Sequence, residues 1–298
     1  MITTFEQLRQ LVGDVQPKTV VVACAHDAHT LEAILKAREE GLVKCLLVGI
    51  KNDIFRIAAD LGYTITEDEV LEAETDEEAA TISVRLVREG KADFLQKGLM
   101  QTATILKAVV NRETGLHTGG MISHSAVLEI PGYHKLVCVT DGGMIPNPDL
   151  EGKKAIIRNA VSMFHCLGYE LPLVSALCAA ENISPKIPET VDAAALKEAC
   201  QAGELGKCYV VGPISFDLAM NKESAKIKRF NSPVCGETDI LLVPNISTGN
   251  IMSKSLMEFA GARMAGCVIG AKCPIALNSR SASFDEKYYS LLLCALVS

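Results

Sequence analysis

The chain has 298 residues and a net charge of −7 at pH 7; 49% of its residues are hydrophobic and 22% are charged. This is an ordinary balance for a globular protein with an ample core, and the length allows two domains or one large one. The negative charge argues against non-specific nucleic-acid binding, and the absence of tryptophan argues against a base-stacking surface.

Eleven cysteines are scattered along the chain without a C-x-x-C pair. Their odd number, and their positions in apolar runs such as those around Cys138 and Cys267, predict buried thiols in a reducing cytosol rather than disulfides or a zinc site. No basic stretch followed by an apolar one opens the chain, so no signal peptide is expected. The most apolar region, 259–277, is interrupted by Arg263 and Lys272 and is too broken to span a membrane.

Short apolar runs alternate with helical patterns through the first half of the chain. We expect strands at 19–25, 45–48 and 93–95, and helices at 4–12, 31–40, 54–61, 76–89 and 102–110. This alternation predicts an α/β fold with a largely parallel sheet and helices on both faces.

The second half continues the pattern after two consecutive strands, 119–128 and 135–140, which the turn Pro131-Gly132 joins. A domain boundary is expected just beyond them. Later strands are expected at 173–177, 209–211, 240–243, 267–269 and 275–277, and helices at 157–164, 193–202, 250–264 and 283–297. The helix 250–264 is expected to bury Leu256, Phe259 and Ala260.

Two stretches near the end of the chain place polar residues between a strand and a helix. In the first, Pro244 ends an apolar strand, Gly249-Asn250 is expected to make the turn, and Ile251 starts the helix. In the second, a short strand leads to Ser279-Arg280 before the last helix. Ligands of α/β proteins bind where strand ends meet helix N-termini, and the free N–H groups there favour anions.

Cations accompany these strand ends. Lys254 and Arg280 lie near helix starts, where the macrodipole disfavours positive charge, so they indicate either a bound anion or solvated surface side chains. Lys97-Gly98 follows the strand 93–95, Thr102 starts the next helix, and Lys107 lies on that helix, where it is either a ligand or a surface lysine. Such a set suits a small phosphate or acyl phosphate, because arginine binds phosphate oxygens through two parallel N–H bonds.

Acid–base candidates are few. His124 lies in a predicted strand and is either a hydrogen-bonded structural residue or a catalyst. Ser283 to Glu286 fits a capping box in which Glu286 bonds the N–H of residue 283. Alternatively, Asp285 or Glu286 is a general base close to Ser279-Arg280.

The usual nucleotide, hydrolase and zinc signatures are absent. The sequence contains no G-x-G-x-x-G, no G-x-x-x-x-G-K-[ST], no G-x-S-x-G and no H-E-x-x-H. No cysteine–histidine cluster with ligand spacing occurs either, so no metal is expected.

At these residues the sequence resembles the phosphate acetyltransferase and phosphate butyryltransferase family, and is closer to the butyryl branch. The resemblance covers nearly the whole chain. It rests on several motifs taken together, which are Lys91-Ala-Asp-Phe-Leu-Gln-Lys-Gly98 with Thr102, Ser123-His124, Thr140-Asp141, Leu150-Glu-Gly-Lys153, Asp239-Ile-Leu-Leu-Val-Pro244, Gly249-Asn250 with Lys254-Ser-Leu256, and Ser279-Arg280.

The resemblance implies reversible acyl transfer between coenzyme A and phosphate by a cytosolic homo-oligomer, with acyl-CoA as substrate and no tightly bound cofactor. It implies the two-domain fold of the isocitrate and isopropylmalate dehydrogenases, with residues 1–140 and 272–298 in one domain, 141–271 in the other, and the active site in the cleft.

The resemblance also indicates site residues. The catalytic candidates are Ser279, Arg280, Glu286, Asp285 and His124, and the phosphate- or CoA-binding candidates are Lys97, Gly98, Thr102, Lys107, Asp141, Gly249, Asn250 and Lys254. Glu286 stands where the family has an aspartate implicated as the base, and Lys107 appears where it has an arginine. The butyryl branch usually has alanines where Gly142-Gly143 stand and an acidic residue where Asn245 stands.

The expected mechanism is direct attack of the coenzyme A thiol on the acyl phosphate carbonyl, with Arg280, helix N-termini and Lys97 holding the phosphate. A phosphate acetyltransferase is the alternative within the family. Two readings come from other classes: a metal-dependent decarboxylating dehydrogenase of the same fold, and a non-catalytic acyl-CoA sensor. The sequence has no aspartate cluster at a strand end for the former and no DNA-binding helix-turn-helix for the latter.

Overall fold

The computed structural model describes residues 1–279 and 282–298. The helices are α1 (Phe5–Gly13), α2 (Ala28–Glu39), α3 (Lys51–Asp60), α4 (Asp76–Arg88), α5 (Thr102–Val109), α6 (Leu150–Cys166), α7 (Pro188–Gln201), α8 (Phe216–Met220), α9 (Lys222–Ile227), α10 (Ile246–Ala260) and α11 (Phe284–Val297). The strands are β1 (Lys18–Ala23), β2 (Val43–Gly49), β3 (Val70–Glu72), β4 (Phe94–Lys97), β5 (Ser123–Glu129), β6 (Val137–Thr140), β7 (Leu173–Leu177), β8 (Tyr209–Ile214), β9 (Ile240–Leu242), β10 (Arg263–Ile269) and β11 (Ile275–Ala276).

The described residues form two compact units. The first unit comprises residues 5–120 and 264–298, and the second unit comprises residues 1–4 and 121–263. This division differs from the expected boundaries after residues 140 and 271. The difference arises because β5 pairs with β6 and β6 pairs with β9, which keeps these strands in the second unit.

In the first unit the strands follow the order β3-β2-β1-β4-β11-β10. All neighbours are parallel except β10 and β11, which are antiparallel. The inner strands are apolar: the last four residues of β1 and all of β4 are buried. Continuous apolar strands are typical of a parallel sheet covered on both faces, so the predicted α/β class with a largely parallel sheet is confirmed.

The second unit has the strand order β5-β6-β9-β7-β8. Its pairs are parallel except for the antiparallel pair β5–β6. Helix α6 begins after Asp149, whose Oδ1 accepts a hydrogen bond from the N–H of Gly152 at 2.8 Å, and it buries Ile157, Ala160 and Phe164. That spacing is the helix face that the sequence predicts.

The start of α10 differs from the expectation. The helix begins at Ile246 rather than Ile251, because Asn245 caps it: the Asn245 Oδ1 accepts a hydrogen bond from the N–H of Thr248 at 3.0 Å. Gly249 and Asn250 therefore lie within the helix, and the prediction that they form a turn is wrong.

The end of α10 also differs. The helix ends at Ala260, because Gly261 adopts a left-handed conformation with φ of 65° that terminates it. Met264 belongs to β10 instead. The expected burial of Phe259 and Ala260 is wrong as well, since Phe259 is 90% exposed, Ala260 is exposed and Leu256 is half-buried.

No helix in the described part of the chain is long and apolar enough to cross a lipid bilayer. The cysteines are unbridged thiols, and most of them are buried, while Cys166 is exposed. Burial raises the pKa of Cys45 and of Cys273 to about 12, which keeps both thiols protonated at neutral pH.

A buried ion pair ties three strands of the second unit together. The Lys135 Nζ lies 2.6 Å from the Asp239 Oδ1, and their side chains are only 8% and 3% exposed. The Asp239 Oδ2 accepts the N–H of Leu173 at 2.7 Å. Burial raises the pKa of Asp239, and the bonds from Lys135 and Leu173 oppose that shift.

We expect Lys135→Met to destabilise the protein by about 3–5 kcal/mol, because it leaves the Asp239 carboxylate buried without its cation. Urea denaturation measures the free energy of unfolding. The matched control is Lys226→Met, which removes an exposed pair with Glu223 and should change that energy by less than about 1 kcal/mol. Equal losses in the two variants would contradict the assignment.

Candidate active site

The first unit gathers polar residues at one edge of its sheet. Strands β1, β4 and β11 run parallel, with Ala23 opposite Lys97 and Gln96 opposite Ala276. The segments that follow these strands therefore emerge side by side. They form a cavity of about 20 Å³ lined by Asp27, Lys97, Gly98, Leu99, Asn278, Ser279 and Lys287. A cavity of this size has room for one water molecule or one ligand oxygen.

Lys97 and Gly98 form one wall of the cavity. Lys97 is the last residue of β4 and is 5% exposed, and its Nζ donates to the carbonyl oxygens of Gly98 and Met100, both at 3.1 Å. A Cβ on Gly98 would lie 2.1 Å from the carbonyl oxygen of Cys24, so only glycine fits there. Lys97 and Gly98 thus lie at the carboxyl end of β4.

Asp27 and Lys287 form a second wall, and sequence reasoning missed both. The Asp27 Oδ1 caps α2 by accepting the N–H of Thr30 at 2.9 Å, and it also accepts a bond from the Lys287 Nζ at 3.2 Å. The same Nζ donates to the Thr30 Oγ1 at 3.0 Å. A signal was available, because Asp27 is a good cap residue directly after a buried strand.

Lys287 has an unusual position for a cation. It is 6% exposed and lies in the second turn of α11, close to the N-terminus, where the macrodipole is unfavourable to positive charge. The Asp27 carboxylate offsets that charge. A second buried lysine, Lys97, lines the same cavity, so the described charges there sum to a positive value that favours an anion.

Asn278 precedes Ser279 and is 4% exposed. Its Nδ2 donates to the Ser290 Oγ at 2.8 Å, with a longer contact of 3.4 Å to the Glu286 Oε1. The Asn278 Oδ1 accepts no hydrogen bond from the described residues. Ser279 is exposed and lines the cavity, and its carbonyl oxygen accepts the N–H of Ala282 at 3.2 Å.

The structure describes the positions of the two predicted acids, Asp285 and Glu286, but not that of the predicted arginine. Asp285 is exposed on the first turn of α11, whereas Glu286 is 6% exposed. The Ser283 Oγ accepts the N–H of Glu286 at 3.2 Å, so one half of the capping interpretation is confirmed. Within the described residues neither carboxylate lines the cavity. Arg280 lies outside the residues that the structure describes.

Two other candidates of the first unit lie on α5. Thr102 is the first residue of this helix. Lys107 is exposed in its last turn and lines a separate groove of about 570 Å³ between α4 and α5, with Arg85 and Arg88 nearby. The structure therefore does not bring Lys107 to the cavity at the strand ends.

The second unit brings His124 and Asp141 together. The backbone N–H of His124 donates to the Asp141 Oδ2 at 2.9 Å, and the Oδ1 accepts the N–H groups of Gly143 and Met144 at 2.7 and 2.8 Å. Burial lowers the pKa of His124, and the Asp141 carboxylate opposes that shift. The imidazole is therefore neutral at neutral pH, and its Nδ1 has no hydrogen-bond partner in the described part of the chain.

Gly249 and Asn250 pack against the same loop. A Cβ on Gly249 would lie 2.7 Å from the Gly142 Cα, which explains a glycine inside α10. The Asn250 Nδ2 donates to the carbonyl oxygen of Gly142 at 3.3 Å. Lys254 lies one turn further along α10 and is exposed. Among the described residues of the chain, no cluster of three His, Cys, Asp or Glu side chains could hold a metal ion.

Comparison with known proteins places these features in a family. The family profile described as "Phosphate acetyl/butaryl transferase" matches residues 64–295. The phosphate butyryltransferase of Clostridium acetobutylicum is 38% identical over 298 residues, which covers 100% of this chain and 99% of that protein.

Two solved structures share the fold. The branched-chain phosphotransacylase from Enterococcus faecalis V583 superposes with a TM-score of 0.82 at 31% identity, covering 94% of this chain and 98% of that one. A putative 4-hydroxythreonine-4-phosphate dehydrogenase from Salmonella typhimurium has a TM-score of 0.57 at 12% identity and covers 95% and 100%, which shows the fold alone. With a profile match over most of its length and a full-length relative above 30% identity, the chain belongs to the phosphate acetyl/butyryl transferase family.

Proposed function

We propose that the protein transfers a short-chain acyl group, butyryl or branched-chain, reversibly between coenzyme A and inorganic phosphate. The observation that carries the proposal is the cavity of the first unit, where two buried lysines, Lys97 and Lys287, accompany Ser279 at the strand ends. Full-length similarity to a phosphate butyryltransferase and to a branched-chain phosphotransacylase supports the butyryl or branched-chain assignment.

In this proposal the coenzyme A thiol attacks the carbonyl carbon of the acyl phosphate, and phosphate leaves. Arg280 and Lys97 bind the phosphate oxygens and stabilise the charge that develops on them. Ser279 donates a hydrogen bond to the carbonyl oxygen. Holding the two substrates together supplies much of the rate, and neither a covalent enzyme intermediate nor a tightly bound cofactor takes part.

The remaining candidates receive binding and proton-transfer roles. We assign Gly98, Thr102 and Lys107 of the first unit, and Asp141, Gly249, Asn250 and Lys254 of the second unit, to binding of phosphate or coenzyme A. Glu286, Asp285 and His124 are the candidates for the base that takes the thiol proton. The exposed position of Asp285 and the low pKa of His124, which leaves its imidazole neutral, allow either group to accept a proton.

The proposal includes a cytosolic homo-oligomer. Its support is the outer face of α10, where Ile251 is 66% exposed and Phe259 is 90% exposed, with Met252 and Leu256 half-buried beside them. Apolar side chains grouped on one helix face are typical of an interface between protein chains. A second copy of this chain is the occupant that we propose.

The reaction can be measured as thiol release when phosphate is added to acetyl-, butyryl- and isobutyryl-coenzyme A in parallel. We expect phosphate-dependent release that is faster with butyryl- or isobutyryl-coenzyme A than with the acetyl compound. Fastest release with acetyl-coenzyme A would move the protein to the acetyl branch. Binding of all three without any release would favour the non-catalytic sensor.

Arg280→Ala should lower kcat/KM by roughly 100- to 1,000-fold, because it removes a bidentate phosphate contact that strengthens as charge develops. Ser279→Ala should lower it less, since a neutral hydrogen bond contributes less than a charged one. Arg56→Ala is the matched control, because Arg56 is exposed and forms ion pairs with Asp53 and Asp60 on its own helix, α3. Turnover of Arg280→Ala at the wild-type rate would remove the central claim.

Phe259→Asp should shift the protein to a smaller species in sedimentation velocity, because it places a charge in the proposed interface. The matched control is Ile227→Asp on α9, which changes another exposed apolar residue, 73% exposed, and should leave the assembly intact. A wild-type protein that sediments as a monomer at micromolar concentration would contradict the interface.

A further inference from the structure

Two residues that line the cavity of the first unit each have a buried acceptor atom that receives no hydrogen bond from the described residues. The Asp27 Oδ2 and the Asn278 Oδ1 are both buried and have no hydrogen-bond partner among residues 1–279 and 282–298, and both residues line the cavity. The orientation of the Asn278 amide is fixed, because its Nδ2 donates to Ser290. A buried acceptor left without a donor is unfavourable by an amount comparable to a lost hydrogen bond, so the pair indicates a ligand that carries a proton.

The Asp27 carboxylate is not free to rotate and bring its Oδ2 to another donor. Its other oxygen, Oδ1, accepts the N–H of Thr30 at 2.9 Å and the Lys287 Nζ at 3.2 Å. These two bonds hold the carboxylate in one orientation. The Oδ2 is therefore a fixed acceptor on a residue that lines the cavity together with Lys97 and Ser279.

The two buried lysines give the cavity a positive charge that attracts an anion. An anion without a proton, however, cannot donate a hydrogen bond to the Asp27 Oδ2. A sulfate ion has four unprotonated oxygens, and any of them placed beside the Asp27 Oδ2 would set lone pairs against lone pairs. Inorganic phosphate near neutral pH keeps at least one proton. The volume of about 20 Å³ admits a single oxygen atom, which for phosphate can be the protonated one.

We propose that Asp27 accepts a hydrogen bond from the protonated oxygen of hydrogen phosphate and thereby selects phosphate over sulfate. This inference rests on the proposed function, because it names residues that recognise the phosphate substrate. Asp27 is then a specificity-determining residue, and Lys287 supplies part of the charge while holding the Asp27 carboxylate in place.

Asp27→Asn tests the inference with little change of shape. Asparagine is as good a helix cap, and its amide oxygen can replace Oδ1, which leaves an N–H donor in place of Oδ2. Loss of the carboxylate charge strengthens binding of every anion alike. The informative quantity is therefore the ratio of the sulfate inhibition constant to the phosphate KM, and we expect it to fall roughly 10- to 100-fold.

The matched control is Asp53→Asn, which removes a carboxylate paired with Arg56 at 3.0 Å on α3 and should leave the ratio unchanged. A ratio in Asp27→Asn within 3-fold of the wild-type value would overturn the proposal. Thermal denaturation establishes that the variant is folded.

Calorimetry on the wild-type protein provides a second test that needs neither turnover nor a variant. Inorganic phosphate should bind at least roughly 10-fold more tightly than sulfate, which carries no proton at neutral pH. Equal affinities would overturn the proposal. The two hypotheses remain separable: thiol release without anion preference refutes only the role of Asp27, and anion preference without thiol release refutes only the acyl transfer.

Discussion

Parallel pairing of β1, β4 and β11 is the constraint on which the first unit depends. Parallel strands all end at the same edge of a sheet, so the residues that follow them meet although they are far apart in sequence. Asp27, Lys97 and Ser279 come together for this reason. The close approach of the turns also explains Gly98, since a side chain there would collide with the carbonyl oxygen of Cys24.

Two buried lysine–carboxylate pairs illustrate how structural and functional ion pairs differ. Both oxygens of Asp239 are used, one by Lys135 and one by the N–H of Leu173, so this pair is closed and serves the second unit as a clamp between strands. In the pair Asp27–Lys287 one carboxylate oxygen, Oδ2, receives no hydrogen bond from the residues that the structure describes. A buried ion pair with an acceptor that lacks a hydrogen bond is less stable than a buried pair whose acceptors are all hydrogen-bonded. We propose that a bound ligand supplies the missing donor.

The apolar runs of the sequence predict the fold well where a single local signal decides. The strand expected at 173–177 is found at those residues as β7, because it is a buried run between a proline and a polar loop. The sequence fails where tertiary packing overrides local preference. Gly249 lies inside a helix because α10 approaches Gly142, and β8 continues through Pro213 because this strand lies at the edge of the sheet, where a missing N–H is tolerated.

The candidate site was predicted at the strand ends, but its composition depends on geometry that no spacing encodes. Lys97 and Ser279 reach the cavity, while Lys107, only one helix later, lies on a different surface. Sequence spacing also does not show which carboxylates reach the cavity. The backbone N–H of Glu286 is capped by Ser283, and its carboxylate contacts Asn278, which in turn lines the cavity, so its influence on the cavity passes through that amide. Asp27, which no sequence motif marked as a site residue, is the described carboxylate that lines the cavity, because α2 starts beyond the carboxyl end of a central strand.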